Sequence, residues 1–190
     1  MDVAVKERVV EAIRNALTSL ANVHHNQATT SSAMVTAYIG LGSNLGRPLD
    51  QIRDAIDELK NHRHLLDVRL SPIYGSKPVG PQDQPDYVNA VAEVKTHLLP
   101  HHLLDLLQSI EQEHGRVRVR HWGERTLDLD LLLYGEAIIR TPRLTVPHAY
   151  LGERSFVLYP LADLKPCLVM PDGTLLQQYL DKVPFDLFPV

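Results

Sequence analysis

Apolar residues recur along this chain with two periods. Val5, Val9, Ala12, Ile13, Ala16, Leu17 and Leu20 share one face at helical spacing, which predicts a helix over residues 3–21. Residues 22–34 are polar and aperiodic and read as a linker. The expected organisation is an N-terminal helix and flexible linker over 1–34, then one domain over 35–190. That domain opens with a short strand ending in a glycine-rich turn, GLGSNLG. Pro48 then suits a first helical turn, and Leu49, Ile52, Ile56 and Leu59 form one helix face. Residues 68–79 predict a strand interrupted at Pro72, followed by a turn-rich loop, GPQDQPDY. Residues 87–96 alternate, with Val88, Ala90, Ala92 and Val94 on one face.

After Pro100, Leu103, Leu106, Leu107 and Ile110 mark a second helix, with Gly115 as its C-cap. RVRVRHWGE reads as a basic loop or short extended piece. TLDLDLLLYG reads as a strand ending at Gly135, and residues 137–148 as a short extended pair. Residues 153–164 start basic and continue apolar, and residues 174–183 predict a last helix. The order strand–helix–strand–strand–helix–strand predicts an α+β fold: a ferredoxin-like sheet (split βαβ) with helices packed on it, in three α/β/α layers. A doubly wound nucleotide fold requires more regular alternation.

Composition narrows the function. The chain has 190 residues, 44% apolar, enough for one sizeable core. Its formal charge of -4 gives no support to a general nucleic-acid binder. The ten histidines are scattered without metal spacing, and the single cysteine, Cys167, excludes an internal disulfide and a multi-cysteine zinc site. No apolar run approaches the roughly 20 residues of a membrane span. The N-terminus lacks the apolar core of a signal peptide, so the cytoplasm is the expected compartment.

Candidate chemistry concentrates around RTLDLDLLLYG. On a strand, Asp128 and Asp130 project from one face with Cα atoms about 6.6 Å apart. Two carboxylates so placed suit one or two divalent cations, while Leu127, Leu129 and Leu131 anchor the opposite face. The bland alternative is a strand with one wet face. Arg116, Arg118, Arg120 and Arg125 lie close upstream. Arginines beside acidic metal ligands are what phosphoryl transfer requires, because charge builds on the transferring group. RVRVRHW also reads as a nucleic-acid patch with Trp122 as a stacking platform, but it is short and acidic residues follow at once. GLGSNLG matches neither a P-loop nor a dinucleotide fingerprint. It reads as a strand–helix corner, with Ser43 and Asn44 making local turn bonds. Tyr87 and Asn89 share a strand face and suit a planar heterocycle with a donor–acceptor edge. Phe156 is a second candidate platform, although ordinary core packing explains either aromatic ring. Glu111 sits in a charge run that is normally solvated. Arg143, His148 and Arg154 add donors that suit phosphates.

Together, VTAYIGLGSNLG, YGSKPVGPQDQPDYVNA, IEQEHGRVR, HWGERTLDLDLLLYG, LTVPH and RSFVLYPL closely resemble the 6-hydroxymethyl-7,8-dihydropterin pyrophosphokinase family of folate biosynthesis. The resemblance covers roughly residues 35–183. It implies a ferredoxin-like α+β fold and transfer of the terminal diphosphate of ATP, as a unit, to a reduced pterin, leaving AMP. It also implies two Mg²⁺ ions held by Asp128 and Asp130. Tyr87 and Phe156 are expected to sandwich the pterin, with Asn89, Ser76 and the backbone near Pro78 and Val79 reading its edge. Gln108, Glu111, Trp122, Leu131, Arg143, Thr145 and His148 are expected to line the nucleotide site. By the same resemblance, Arg116 and Arg125 are expected to belong to a mobile catalytic region, and Arg118 and Arg154 to contact phosphates. Closure of loops 75–86 and 115–125 would exclude water. The expected partners are ATP and the reduced pterin, without nucleic acid or membrane. A monomer is expected, unless the N-terminal helix mediates self-association.

Two departures from the family pattern stand out: the extension before Val35, and Ala149 where a proline or larger residue often follows the histidine. Two other readings use the same residues. A nucleotidyl or single-phosphoryl transferase would release pyrophosphate or ADP, and a ligand-binding regulatory module would show no turnover.

Overall fold

The computed structural model describes residues 30–115 and 124–190. The helix expected over 3–21 and most of the basic RVRVRHWGE segment lie outside the described residues. Strand β1 (Thr30–Ser43) begins five residues before the expected domain start at Val35, because Thr30 already pairs with Leu98 across a register shift.

The remaining order is α1 (Pro48–Asn61), β2 (Leu65–Leu70), β3 (Tyr74–Ser76), β4 (Tyr87–Leu98), α2 (Pro100–Glu113) and β5 (Asp128–Tyr134). A hairpin of β6 (Ile139–Arg140) and β7 (Thr145–Val146) follows, then a 3-10 turn at Leu151–Glu153. Helices α3 (Ser155–Leu164) and α4 (Leu176–Leu180) and strand β8 (Phe188–Pro189) complete the chain. The main sheet runs β5-β1-β4-β3-β8, and β2 also pairs with β4. Every pairing in it is antiparallel. The interruption expected at Pro72 is the gap between β2 and β3.

Two apolar layers hold the sheet. On one face, Ala37, Ile39, Leu41, Ala90, Ala92, Val94, Leu129 and Leu131 pack against Ile52, Ile56 and Leu59 of α1 and Leu103, Leu107 and Ile110 of α2. Both helices start with proline in the first turn, where a missing N–H costs nothing. Gly115 closes α2 at φ +67°, a backbone conformation that favours glycine.

On the other face, Tyr38, Val91, Leu132 and Leu133 meet Val157, Leu158 and Leu161 of α3 and Leu176 of α4. Consecutive leucines 132 and 133 reach the same layer because β5 bulges there: Tyr38 pairs with Leu133 and Ile39 with Leu131. Helix α3 carries Pro160 in its interior, and periodicity alone does not identify this segment as a helix. Burial of Val157, Leu158 and Leu161 outweighs the proline penalty. The last helix is shorter than the expected 174–183. Among the described residues no helix is long and apolar enough to cross a membrane.

Candidate active site

Asp128 and Asp130 lie opposite Gly42 and Gly40 of β1, on the sheet face that carries α3. Leu129 and Leu131 point into the other layer, as the strand alternation requires. Farther across the same row, Gly42 pairs with Asn89, and Asn89 pairs with Tyr74. The two glycines therefore form a floor without side chains between the carboxylates and Asn89. The sequence reading of GLGSNLG as a corner misses this use, because its cause is the neighbouring strands.

A cavity opens above this floor. Its lining includes Gly40, Gly42, Ser76, Val79, Tyr87, Asn89, Arg125, Asp128, Asp130, Arg154 and Phe156. Asn89 is buried and donates from Nδ2 to Ser76 Oγ at 2.9 Å. That leaves its amide oxygen without a bond to Ser76. Tyr87 donates to Gln84 Oε1 at 3.3 Å. Phe156 sits in the first turn of α3 and Arg154 just before it, so one helix start delivers both. Arg154 lies 5.0 Å from the Tyr150 ring centroid and 5.7 Å from that of Phe156. Pro78 does not line the cavity; its carbonyl accepts a bond from Gln82 at 2.8 Å.

A second cleft lies on the α2 side of β5. Gln108, Glu111, Asp130, Leu131, Arg143, Thr145, His148 and Ala149 are among its lining residues. All described residues expected in the nucleotide site gather here except Arg154, which belongs to the first cavity. Arg116, Arg118 and Trp122 lie outside the described residues. Glu111 is not a solvated member of a charge run. It is 3% exposed, and its Oε1 accepts the backbone N–H of Leu129 at 2.7 Å. This bond satisfies an outward-facing donor of the edge strand between the two aspartates. His148 is held by its own backbone N–H, which donates to Leu132 O at 2.9 Å.

Electrostatics set the aspartates apart from ordinary surface carboxylates. Arg125 forms an ion pair with Asp128. Burial opposes the charge of Arg125, but Asp128, joined by Tyr87 and Asp130, more than offsets it, and the guanidinium pKa is raised. The surrounding protein and the charge of Asp128 push the Asp130 carboxyl above the usual range, against the pull of His148, Arg154 and Arg125. His148 Nε2 stands 3.8 Å from Asp130 Oδ2. Burial lowers the His148 pKa, and Asp130 works the other way. Asp130 is thus a carboxylate whose ionised form calls for further positive charge.

Ser43 and Asn44 do not make the local turn bonds expected of them; their partners are distant in sequence. Ser43 Oγ donates to Thr126 O at 2.5 Å. Asn44 Oδ1 accepts from Arg125 N at 2.9 Å, while its Nδ2 donates to Gln84 Oε1 at 3.1 Å and Pro85 O at 3.0 Å. Both residues are buried. They fasten the loop before β4 and the segment before β5 to the end of β1.

Comparison with known proteins identifies the family. Residues 38–166 match the family model described as 7,8-dihydro-6-hydroxymethylpterin-pyrophosphokinase. A 2-amino-4-hydroxy-6-hydroxymethyldihydropteridine pyrophosphokinase of Haemophilus influenzae is 51% identical over 160 residues, covering 82% of this chain and all of the relative. The Pseudomonas aeruginosa protein of the same name is 52% identical over 149 residues, 78% of this chain and 92% of the relative. In fold, the chain is similar to a Plasmodium falciparum HPPK-DHPS crystal structure at TM-score 0.62 and 14% identity, over 79% of this chain and 41% of that longer one. The chain belongs to the 7,8-dihydro-6-hydroxymethylpterin-pyrophosphokinase family.

Proposed function

We infer that this protein transfers pyrophosphate from ATP to the hydroxymethyl group of 6-hydroxymethyl-7,8-dihydropterin, releasing AMP, as a step of folate biosynthesis. The observation that carries the reading is that Asp130 lines both cavities. A pterin in the first and a nucleotide in the second would meet at that carboxylate.

The first cavity suits a flat, polar-edged ring. Tyr87 and Phe156 supply apolar faces, and Asn89 and Ser76 read the edge. Val79 closes one side. The glycine floor admits the ring close to the sheet. In the second cleft, Gln108, Leu131, Thr145 and His148 receive the nucleotide, and Arg143 stands at the rim paired with Asp105 at 2.6 Å. Glu111 acts there chiefly by holding β5. The pterin oxygen attacks the β-phosphorus in line. The new O–P bond forms as the bond to the α-phosphate oxygen breaks, and the hydroxyl proton passes to solvent. Arg125 and Arg154 stand where charge accumulates on the transferring group. By resemblance to the family, Arg116 and Arg118 are expected to add to it and Trp122 to line the nucleotide site.

Two Mg²⁺ ions fit the donor set. Among the described residues no cluster of three or more acidic, histidine or cysteine side chains makes a protein cage. Magnesium, however, commonly binds through one or two carboxylates plus substrate phosphates, and Asp128 and Asp130 face the cavity as such a pair. The ions would supply charge neutralisation and alignment of the triphosphate. Arg125 is paired with Asp128, and a cation held by that carboxylate would leave the guanidinium available to the transferring phosphates.

The strand order, with two helices on one face and α3 with α4 on the other, supports a ferredoxin-like, split βαβ assignment in three layers. A monomer acting in the cytoplasm fits the reading. The deciding experiment supplies Mg²⁺, ATP labelled at the β-phosphate and the pterin, with Asp130→Ala alongside. AMP and a labelled pterin diphosphate, absent from the variant, are the expected products. ADP and a singly phosphorylated pterin would overturn the reaction class.

A further inference from the structure

Strand β3 carries Ser76, and just beyond it Lys77, to the wall of the first cavity, yet it is three residues long. On one side it pairs with β4. On the other it pairs with β8, Gly75 opposite Phe188 and Tyr74 opposite Pro189. The contact at Gly75 is unusually close. A Cβ there would lie 2.1 Å from Phe188 Cε2 and 2.5 Å from Cδ2, so the ring fills the place of a side chain at 75. Because side chains alternate across a strand, that place is on the face opposite Ser76. Phe188 therefore backs the strand from behind the cavity.

The segment leading to Phe188 is itself anchored. Phe185 meets Tyr159 edge-on at 4.9 Å and Tyr74 at 6.3 Å. Tyr159 donates to Val183 O at 2.8 Å, and Tyr74 donates to Asp163 of α3 at 2.8 Å. Leu187 is buried, and Lys77 Nζ lies 5.8 Å from the centre of the Phe188 ring. These contacts join the tail to α3, whose first turn supplies Phe156 across the same cavity.

We propose that Phe188 is a positioning residue for the pterin subsite, matched to Gly75 and setting the height of Ser76 against Asn89. The proposal rests on the function inferred above. Phe188 lies beyond the residues 38–166 that match the family model, so the brace is additional to the matched region. Without β8, a strand this short would be paired on one side only and would fray readily, and a small displacement of a substrate-reading group has a large kinetic effect.

The test compares wild type, Phe188→Ala, Phe188→Leu, Gly75→Ala and the Gly75→Ala/Phe188→Ala pair. The readouts are KM for pterin, KM for ATP, kcat, thermal midpoint and hydrogen exchange at residues 74–77. Phe188→Ala is expected to raise the pterin KM about tenfold or more, with the ATP KM within about twofold, and to speed exchange at 74–77. Phe188→Leu should recover most of the loss. Gly75→Ala should reproduce the defect, and the double variant should be less impaired than the two single effects combined, since the alanine then has room. An unchanged pterin KM with unchanged exchange would overturn the proposal. So would a lower midpoint and kcat with both KM values unchanged, which marks a merely structural role. Absence of turnover in the wild type would count against the inferred function alone, because the exchange readout still decides the brace.

Discussion

Asn44 and Arg125 bind each other twice, through Asn44 Oδ1 to the Arg125 N–H at 2.9 Å and through the Asn44 N–H to Arg125 O at 3.1 Å. Nδ2 of the same amide holds Gln84 and Pro85. One buried side chain therefore ties the pterin-side loop to the residue that pairs with Asp128. Asn44→Ala should cost about 1–3 kcal/mol in unfolding free energy, because buried partners lose their bonds. It should also lower kcat/KM about a hundredfold, by displacing Arg125 and Tyr87 together. Steady-state kinetics beside denaturant unfolding check this. Loss of stability without loss of activity in the folded fraction would contradict it.

Asp130 stands against a like charge in a partly desolvated site, with its carboxyl pushed up by burial and by Asp128. Burial and the charge of Asp128 make its ionised form costlier in the folded state than in the unfolded chain. Asp130→Asn should leave the thermal midpoint in metal-free buffer equal to or above that of wild type. Turnover should fall by about a thousandfold or more, because the site loses a ligand to the ions that would neutralise the phosphates. A lower midpoint would show that the carboxylate is structurally satisfied.

Gly42 lies in the row between Asp128 and Asn89. A Cβ there would meet only Asn89 Oδ1, at 3.5 Å, an ordinary contact. Gly42→Val should fold, since valine suits a strand, yet fill the space above the floor. Pterin binding should weaken by about a hundredfold or more, as expected when a group intrudes by an ångström or so. Calorimetric titration with the pterin, and separately with nucleotide, distinguishes this from general damage.

Farther along β1 on the same sheet face, Tyr38 donates to Glu93 Oε2 at 2.9 Å, and Arg69 Nε donates to Oε1 at 3.0 Å. Glu93 is buried, so its oxygens depend on these partners. Burial, then the bond to Glu93, raises the Tyr38 hydroxyl well above the usual tyrosine range. The folded state thus holds this proton more tightly than the unfolded chain. The contribution is whole below about pH 10, the unfolded tyrosine value, and is lost as pH rises above it toward the folded pKa. Unfolding curves at pH 8 and above pH 10 should show the decline. Tyr38→Phe should remove much of it and cost about 1.5–3 kcal/mol at pH 8, the range for a bond to a charged group.

Much of this protein is written in local pattern. The helix faces of α1 and α2, the proline starts, the break near Pro72 and the alternation of β4 follow from side-chain period and backbone restriction, which operate within a few residues. The pairing of Asp128 with Asp130 on one face follows likewise, since a strand has no other place for them. Tertiary structure decided what no short window contains. Asp130 became common to two cavities because β5 is the sheet edge, with β1 on one side and the α2 cleft on the other. Glu111 is a buried fastener because an edge strand leaves an N–H to satisfy. Ser43 and Asn44 bond across more than 40 residues for Asn44 to Pro85 and more than 80 for Ser43 to Thr126, since β4 and β5 flank β1. Helix α3 forms around an interior proline because its apolar face is buried, a gain that propensity does not register. Phe188 meets Gly75 because the chain returns to the outer side of β3. In each case the cause is a contact between segments remote in sequence, where packing and hydrogen-bond satisfaction, not local preference, set the outcome.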